Sequence, residues 1–264
     1  ITVKQLFDQL VEHAWFNGEP GIVFIDEVNR TNPLPGLGPI DCSNPCGEQF
    51  LHHYDNCNLG SINLAAFVKT HSTGSGQAAK VDWNHLRRVT KISTRLMDDV
   101  IDLFDFPVQQ VTDLARKNRR IGLGIMGFAD MLYQLGVAYD SEVGQKIGEK
   151  VMKTITDSAH EMSRELAKEK GAFENWNMSL SARKKEAKRR NAALTTVAPT
   201  GSISMMLDVS SGIEPNFALS FVKQDKDGQK YHYFNSYFEK ALVAQKFSKE
   251  KIKEIKEELL KTGS

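Results

Sequence analysis

The chain has 264 residues, 41% of them hydrophobic and a quarter charged, with a net charge of +1, which is enough apolar content for a sizeable core in one large or two small domains. So balanced a charge gives no global electrostatic case for nucleic acid or an acidic membrane surface. Three cysteines make neither a secreted disulfide scaffold nor an even pairing, so a reducing, cytoplasmic setting is expected. No apolar run approaches the roughly 18 residues that span a bilayer, and the N-terminus lacks a signal-peptide core and an initiator methionine, as a piece of a longer chain would.

Thr2 with Gln5 reads as a capping box, and Leu6, Phe7, Leu10, Val11 and Ala14 predict a helix to about Phe16. Residues 17–21 break it, and the apolar run 22–25 predicts a short buried strand ending at Asp26 and Glu27. From 29 to 45, Pro33, Pro35, Pro39 and Pro45 with Gly36 and Gly38 preclude regular structure and predict a long ordered loop. At its end stands Ser43-Asn44-Pro45-Cys46-Gly47-Glu48. Pro45 fixes its own φ and Gly47 permits a tight turn, so Cys46 belongs at a loop tip.

Cys57-Asn58-Leu59-Gly60-Ser61-Ile62-Asn63-Leu64 follows, with 61–68 returning as a strand. The Ser/Gly-rich stretch 71–78 reads as a surface linker. Asp82 caps a helix whose stripe is Leu86, Val89, Ile92, Leu96, Val100 and Leu103, stopped by Pro107. Arg119 and Arg120 open a strand-like, glycine-containing run to Phe128, followed by a helix at about 128–135. Ser141 caps a long helix carrying Val143, Ile147, Val151, Ile155, Ala159, Met162 and Leu166, ended by Gly171. The basic cluster Arg183, Lys184, Lys185, Lys188, Arg189 and Arg190 lacks interleaved aromatics and reads as the solvated face of a short helix, not as a phosphate-facing patch.

Residues 193–198 predict a strand and Pro199-Thr200-Gly201-Ser202-Ile203-Ser204 a turn into a helix beginning near Ser202. Free backbone N–H groups at such a helix start suit phosphate, although many similar turns bind nothing. Ser210-Ser211-Gly212-Ile213-Glu214-Pro215 is an irregular loop before a strand at 217–222, a turn at 225–228 and a charged amphipathic helical end with Phe238, Leu242, Ile252, Ile255 and Leu259. Serial βα units predict an α/β architecture with a largely parallel sheet and its loops at the carboxyl ends of strands.

Cys42, Cys46 and Cys57 with His52 and His53 could in number ligate zinc, but their spacings lack the paired short-knuckle pattern. A Cys/His hydrolase would need a base that no histidine obviously supplies. The plainest alternative leaves Cys46 and Cys57 as inert buried thiols. Against it stands the carboxylate two residues from Cys46, which can serve as a general base on a substrate while the sulfur does something else.

In order, Asn44-Pro45-Cys46-Gly47-Glu48, Cys57 to Leu64, Ile121 to Asp130, Ala198 to Ser204 and Ser210 to Pro215 resemble the catalytic part of ribonucleotide reductase, in wording most like its class II, adenosylcobalamin-dependent type. The resemblance implies a ten-stranded α/β barrel threaded by a finger loop. Residues 1–264 would be a single fragment of it, with the finger loop at about 40–58 and a helical end at about 236–264. It implies Cys46 as the thiyl-radical residue, Glu48 as base on the ribose 3′-hydroxyl, and Asn44 and Ser43 on the substrate. Cys57 would be one of two reducing thiols, and the amides of Thr200, Gly201, Ser202 and Ile203 would bind the phosphates. A ribonucleoside di- or triphosphate substrate, a thiol reductant such as thioredoxin, the missing N-terminal barrel half and a homodimer of the full-length protein are implied as partners. No cysteine in 1–41 supplies the second reductant, and Cys42 has no role in the family. A class I catalytic subunit with a separate radical subunit and a non-catalytic structural fragment are the alternatives.

Overall fold

The computed structural model describes residues 1–69, 79–224 and 228–262, so the expected linker at 71–78 and most of the turn at 225–228 lie outside the described residues. Helix α1 (Val3–Asn17) starts on the expected capping box, with Thr2 and Gln5 bonded reciprocally, and ends on left-handed Gly18. None of its residues is buried; Phe7 is 58% and Trp15 85% exposed, so its apolar stripe faces outward. The strand predicted at 22–25 does not form. No described strand lies alongside to take its ladder, and the chain instead enters α2 (Ile25–Arg30) with Val23 and Phe24 exposed.

The proline-rich stretch is irregular and ordered, because Asn29 exchanges two hydrogen bonds with Ile40, its Nδ2 donating (2.8 Å) and its Oδ1 accepting (2.8 Å). Leu34 completes a small apolar cluster with Phe173, Trp176 and Ala192. Strands β1 (Cys42–Ser43) and β2 (Phe50–Leu51) form an antiparallel hairpin, Cys42 opposite Leu51 and Ser43 opposite Phe50.

Strand β3 (Asn58–Asn63) ends in a 3-10 turn (Leu64–Phe67), where the expected strand stops, and β4 (Val68–Lys69) pairs antiparallel with β5 (Lys80–Val81). Helices α3 (Trp83–Asp102) and α4 (Gln109–Asn118) lead to β6 (Ile121–Met126), which pairs in parallel with β3. The chain continues through α5 (Phe128–Leu135), α6 (Glu142–Lys170), α7 (Leu180–Arg183), α8 (Gly201–Met206), the antiparallel pair β7 (Ser220–Gln224) and β8 (Lys230–Phe234), α9 (Ser236–Ala244) and α10 (Lys249–Thr262). Residues 193–196 run parallel beside β6 and join it by a single bridge, Leu123 to Thr195, not as a full strand. The described strands therefore make four two-stranded pairs and no closed barrel; parallel pairing is confined to the centre.

The centre has two unlike faces, as strand alternation requires. Ile62, Ile121, Leu123 and Ile125 pack with Leu86, Met97 and Ile101 of α3 and Val151, Ile155 and Ala159 of α6 in the main core. On the other face the register sets Leu59 beside Gly122 and Ser61 beside Gly124, so β6 there presents almost bare backbone.

The apolar stripe predicted for α3 is misplaced: Ile92, Leu96 and Leu103 are exposed, while Leu86, Thr90, Thr94, Met97, Asp98 and Ile101 are buried. Threonines fit the inner face because Thr90 and Thr94 donate back to the carbonyls of Leu86 (2.8 Å) and Thr90 (2.9 Å). Buried Asp98 is held by Arg119 Nε (2.8 Å) and Asn191 Nδ2 (2.8 Å). On α6 the expected stripe is buried except for Val143 and the half-buried Ile147.

Candidate active site

The hairpin turn between β1 and β2 closes on Asn44. Its backbone N–H donates to the Gln49 carbonyl (3.1 Å), its side-chain Oδ1 accepts from Gln49 N (3.0 Å), and its carbonyl accepts from Gly47 N (3.0 Å). Gly47 takes φ +77°, the left-handed conformation that a glycine adopts without strain. Cys46 stands exposed at the turn, as the Pro-Cys-Gly order predicted. Ser43 is exposed and donates to its neighbour's carbonyl, Asn44 O (3.0 Å).

Glu48 sits on the inner side of this turn. Its carbonyl accepts from Thr196 Oγ1 (2.9 Å), joining the hairpin to the extended segment beside β6. Its Oε2 is buried without a hydrogen-bond partner. It lines a cleft of about 320 Å³ with Gln49, Arg120, Thr195, Thr31 and Ile40. A buried, unpartnered carboxylate oxygen beside a cleft is a site waiting for a donor such as a hydroxyl.

Cys57 immediately precedes β3 and lies at the amino end of the parallel pair, not at its carboxyl end. It is half-buried over Gly122, where an added Cβ would come within 3.0 Å of its sulfur and 2.8 Å of Gln49 Nε2. Burial pushes its thiol up to about 12, the charges of Asp55 and Glu48 act in the same direction, and Arg120 opposes them. A thiol held protonated is suited to giving up a hydrogen and poorly suited to attacking as an anion. Cys42 is exposed, its Sγ donating to Leu51 O (3.2 Å); burial, then Asp41 and Asp55, raise its pKa. Among the described residues no three His, Cys, Asp or Glu side chains are grouped to hold a metal ion.

The carboxyl end of the pair carries the other predicted residues. Thr200 caps α8 with φ +57°, an uncommon conformation for a β-branched residue, and its Oγ1 accepts from Gly212 N (2.7 Å). The first backbone bond of α8 runs from Ser204 N to Thr200 O (2.9 Å), so the amides of Gly201, Ser202 and Ile203 precede the helical ladder, and all three residues are exposed. The structure thus groups Asn44, Cys46 and Glu48 on one turn, links Glu48 to the strand leading to Thr200, and sets Cys57 apart at the strand's beginning.

Several residues at the site had no role in the sequence reading. Arg120, 3% exposed, donates through Nε to buried Asp55 (3.1 Å), two positions before Cys57. Burial alone would raise the Asp55 pKa, but His52 and Arg120 outweigh it and hold the carboxyl below its usual range. Gln49 and Thr196 complete the packing under Glu48. Asp130, buried on α5, accepts from Ser210 N (2.6 Å), Asn235 Nδ2 (2.8 Å) and Asn216 Nδ2 (3.2 Å). Two members of the basic cluster turn inward: Arg189 donates to the Asn191 and Ala192 carbonyls and Arg190 to those of Lys170 and Gly171, while α7 ends at Arg183. Polar residues separated by tens of positions leave no periodic signal, and only the strand-opening position of Arg120 pointed to it.

No described helix is long and apolar enough to cross a membrane. The chain is 45% identical over 239 residues to a vitamin B12-dependent ribonucleoside-diphosphate reductase of Thermoplasma acidophilum, covering 90% of this chain and 30% of the relative. It is 44% identical over 223 residues to a protein of the same name from Mycobacterium tuberculosis, covering 84% of this chain and 31% of the relative. It is also 29% identical over 269 residues to a ribonucleoside-diphosphate reductase subunit alpha of Chlamydia trachomatis, covering 87% and 25%. The chain thus spans less than a third of the length of these relatives. The family model described as the ribonucleotide reductase barrel domain matches residues 1–189 and 176–262, essentially the whole chain, and the protein belongs to that family.

Proposed function

We propose that this chain is the finger-loop part of the catalytic barrel of a ribonucleotide reductase and works, with the rest of a longer protein, in reducing ribonucleotides to 2′-deoxyribonucleotides. The observation that carries this reading is the Thr196 to Glu48 hydrogen bond (2.9 Å), which ties the thiol and carboxylate turn to the strand that runs into the α8 amides. A ribonucleoside diphosphate, the substrate named for its relatives, has a ribose and a phosphate tail to span those two places. In this reading residues 1–264 are one fragment of a ten-stranded barrel, 40–58 form the finger loop and 236–264 the helical end. The setting is cytoplasmic, and the full-length protein is a homodimer.

Cys46, once oxidised to its thiyl radical, takes the 3′ hydrogen: an S–H bond forms as the C–H bond breaks, leaving a carbon radical on the ribose. Glu48 accepts the 3′-hydroxyl proton, which its unpartnered Oε2 is placed to do. Asn44 Oδ1 is committed to the turn, so its Nδ2 hydrogens are the groups that bond a substrate hydroxyl. The protonated Cys57 thiol is one of two reductants that finish as a disulfide, to be reset by a thiol reductant such as thioredoxin. The amides of Thr200 to Ile203 hold the phosphates.

Adenosylcobalamin is the cofactor implied by the relatives' names. The clefts of about 520 and 320 Å³ are too small for a corrin macrocycle with its nucleotide tail, so these residues form no seat for it and no step here passes through it. The subunit-alpha relative favours a second reading, a separate radical subunit. In the full-length protein, Cys46→Ser should abolish nucleotide reduction, and a fully active Cys46→Ser protein would overturn the radical role. Turnover that ignores added adenosylcobalamin but requires a second subunit would replace the first reading by the second.

A further inference from the structure

Cys57 has no rigid element before it. It ends a loop that runs from the hairpin through His52 to Asn56, yet its sulfur lies against Gly122 closely enough that a single added carbon would touch it at 3.0 Å. Something must hold that loop down. One side chain meets it from both directions. Arg120 donates through Nε to Asp55 Oδ2 (3.1 Å), upstream of the thiol, and its backbone carbonyl accepts from Asn58 N (3.4 Å), immediately downstream. Asp55 in turn accepts from Asn56 N through Oδ1 (3.0 Å), and its own N–H donates to His52 O (3.0 Å), closing the turn. His52 Nδ1 lies 3.8 Å from Asp55, and its Nε2 lies 3.2 Å from the Gly38 carbonyl, so the turn is anchored to the proline-rich loop as well. Arg120 and Asp55 are both nearly fully buried, so the pair is shielded from solvent and salt.

We propose that Arg120 is the positioning residue of Cys57, clamping the 52–57 turn through Asp55 so that the thiol is held over the bare backbone of Gly122 and turned away from solvent. The inference rests on the assignment of Cys57 as a reducing thiol for its use, but not for its geometry. Arg120 touches no sulfur and takes no part in bond making; it acts through Asp55. Its guanidinium makes two approaches to one carboxylate, at 3.1 Å from Nε and 3.0 Å from Nη2, a fork that lysine cannot reproduce. The charged groups around Cys57 are Arg120, Asp55 and Glu48. Removing Arg120 leaves Asp55 as an unpaired buried charge, which the turn relieves by opening toward water.

The test is site-resolved alkylation of the three cysteines in the full-length protein, followed by mass spectrometry across a pH series, for Arg120→Gln, Asp55→Asn and the double variant. Peptide-resolved amide exchange is measured on the same samples. Cys57 should label about tenfold or more faster in Arg120→Gln, with its labelling curve moved to lower pH, while Cys42 and Cys46 keep their rates. Arg120→Lys should recover only part of the protection. Because the two residues act through one pair, the double variant should exceed neither single one. The exchange increase should be confined to the 52–58 peptide. Unchanged Cys57 labelling in Arg120→Gln overturns the proposal, as does exchange that spreads equally through β3, β6 and α3, because the effect is then general loosening. These readouts need no turnover, so a failure here is distinct from an active Cys46→Ser protein, which defeats the functional assignment alone.

Discussion

Two glycines on one strand separate stability from site geometry. A Cβ at Gly124 would meet the Thr196 carbonyl oxygen at 2.8 Å, a backbone atom that cannot swing aside. At Gly122 the nearest atoms are the ends of Leu59, Gln49 and Cys57 side chains, which can. Gly124→Ala should therefore cost about 2–3 kcal/mol and Gly122→Ala about 1 kcal/mol, read from urea midpoints, with only the latter changing Cys57 labelling. Cys57 also predicts a pH response. Its folded pKa of about 12 lies above the ordinary 9.0, so the native state binds the extra proton between those values and stability falls as pH rises through that window. The fall should be smaller in Cys57→Ala, measured as the difference between the two urea-unfolding profiles, since lysines and tyrosines titrate there in both. The hairpin tip was legible because Pro45 and Gly47 act locally on the backbone. Arg120 and Asp55 were not, because their partnership across 65 positions belongs to the folded chain and to no window of sequence.

Between elements, Asp130 is the fastening of the carboxyl-end loops. One buried carboxylate on α5 takes donors from the 210 loop, from Asn216 and from Asn235, the cap of α9. Asp130→Ala strands all three donors and should cost about 3 kcal/mol or more, with amide exchange rising first at 208–216 and at the start of α9. Helix limits set by caps were readable in advance: Thr2, Asp82, Ser141 and Gly171 each act where expected. Two readings failed for a shared reason. The run 22–25 is apolar enough for a strand and lacks a neighbour, and the α3 stripe counted leucines and isoleucines while the fold buries threonines that satisfy their own hydroxyls. Both depend on what lies opposite, which hydropathy does not contain.

Across the whole molecule the charge pairs divide sharply by burial. Lys91 with Glu161 and Glu165, Arg95 with Glu169, and Lys170 with Asp99 stitch α3 to α6 at the surface, where each pair is worth at most about 1 kcal/mol and is screened by salt. Asp98, fully buried under Arg119 and Asn191, is different: Asp98→Ala leaves a buried guanidinium short of its partner and should cost about 3–5 kcal/mol in urea unfolding at any ionic strength. The helices thus cover only one face of the central pair and leave the glycine face to the hairpin and to whatever approaches it. Helix α1, with no buried residue, offers an optical handle on such an approach. The protein has three tryptophans, and their surroundings differ: Trp176 is 6% and Trp15 85% exposed, while Trp83 is half-buried beneath the Lys150 ammonium. Collisional quenching by iodide should therefore reach mainly Trp15, and any surface that comes to cover α1 announces itself by shielding that one indole, without a label being added.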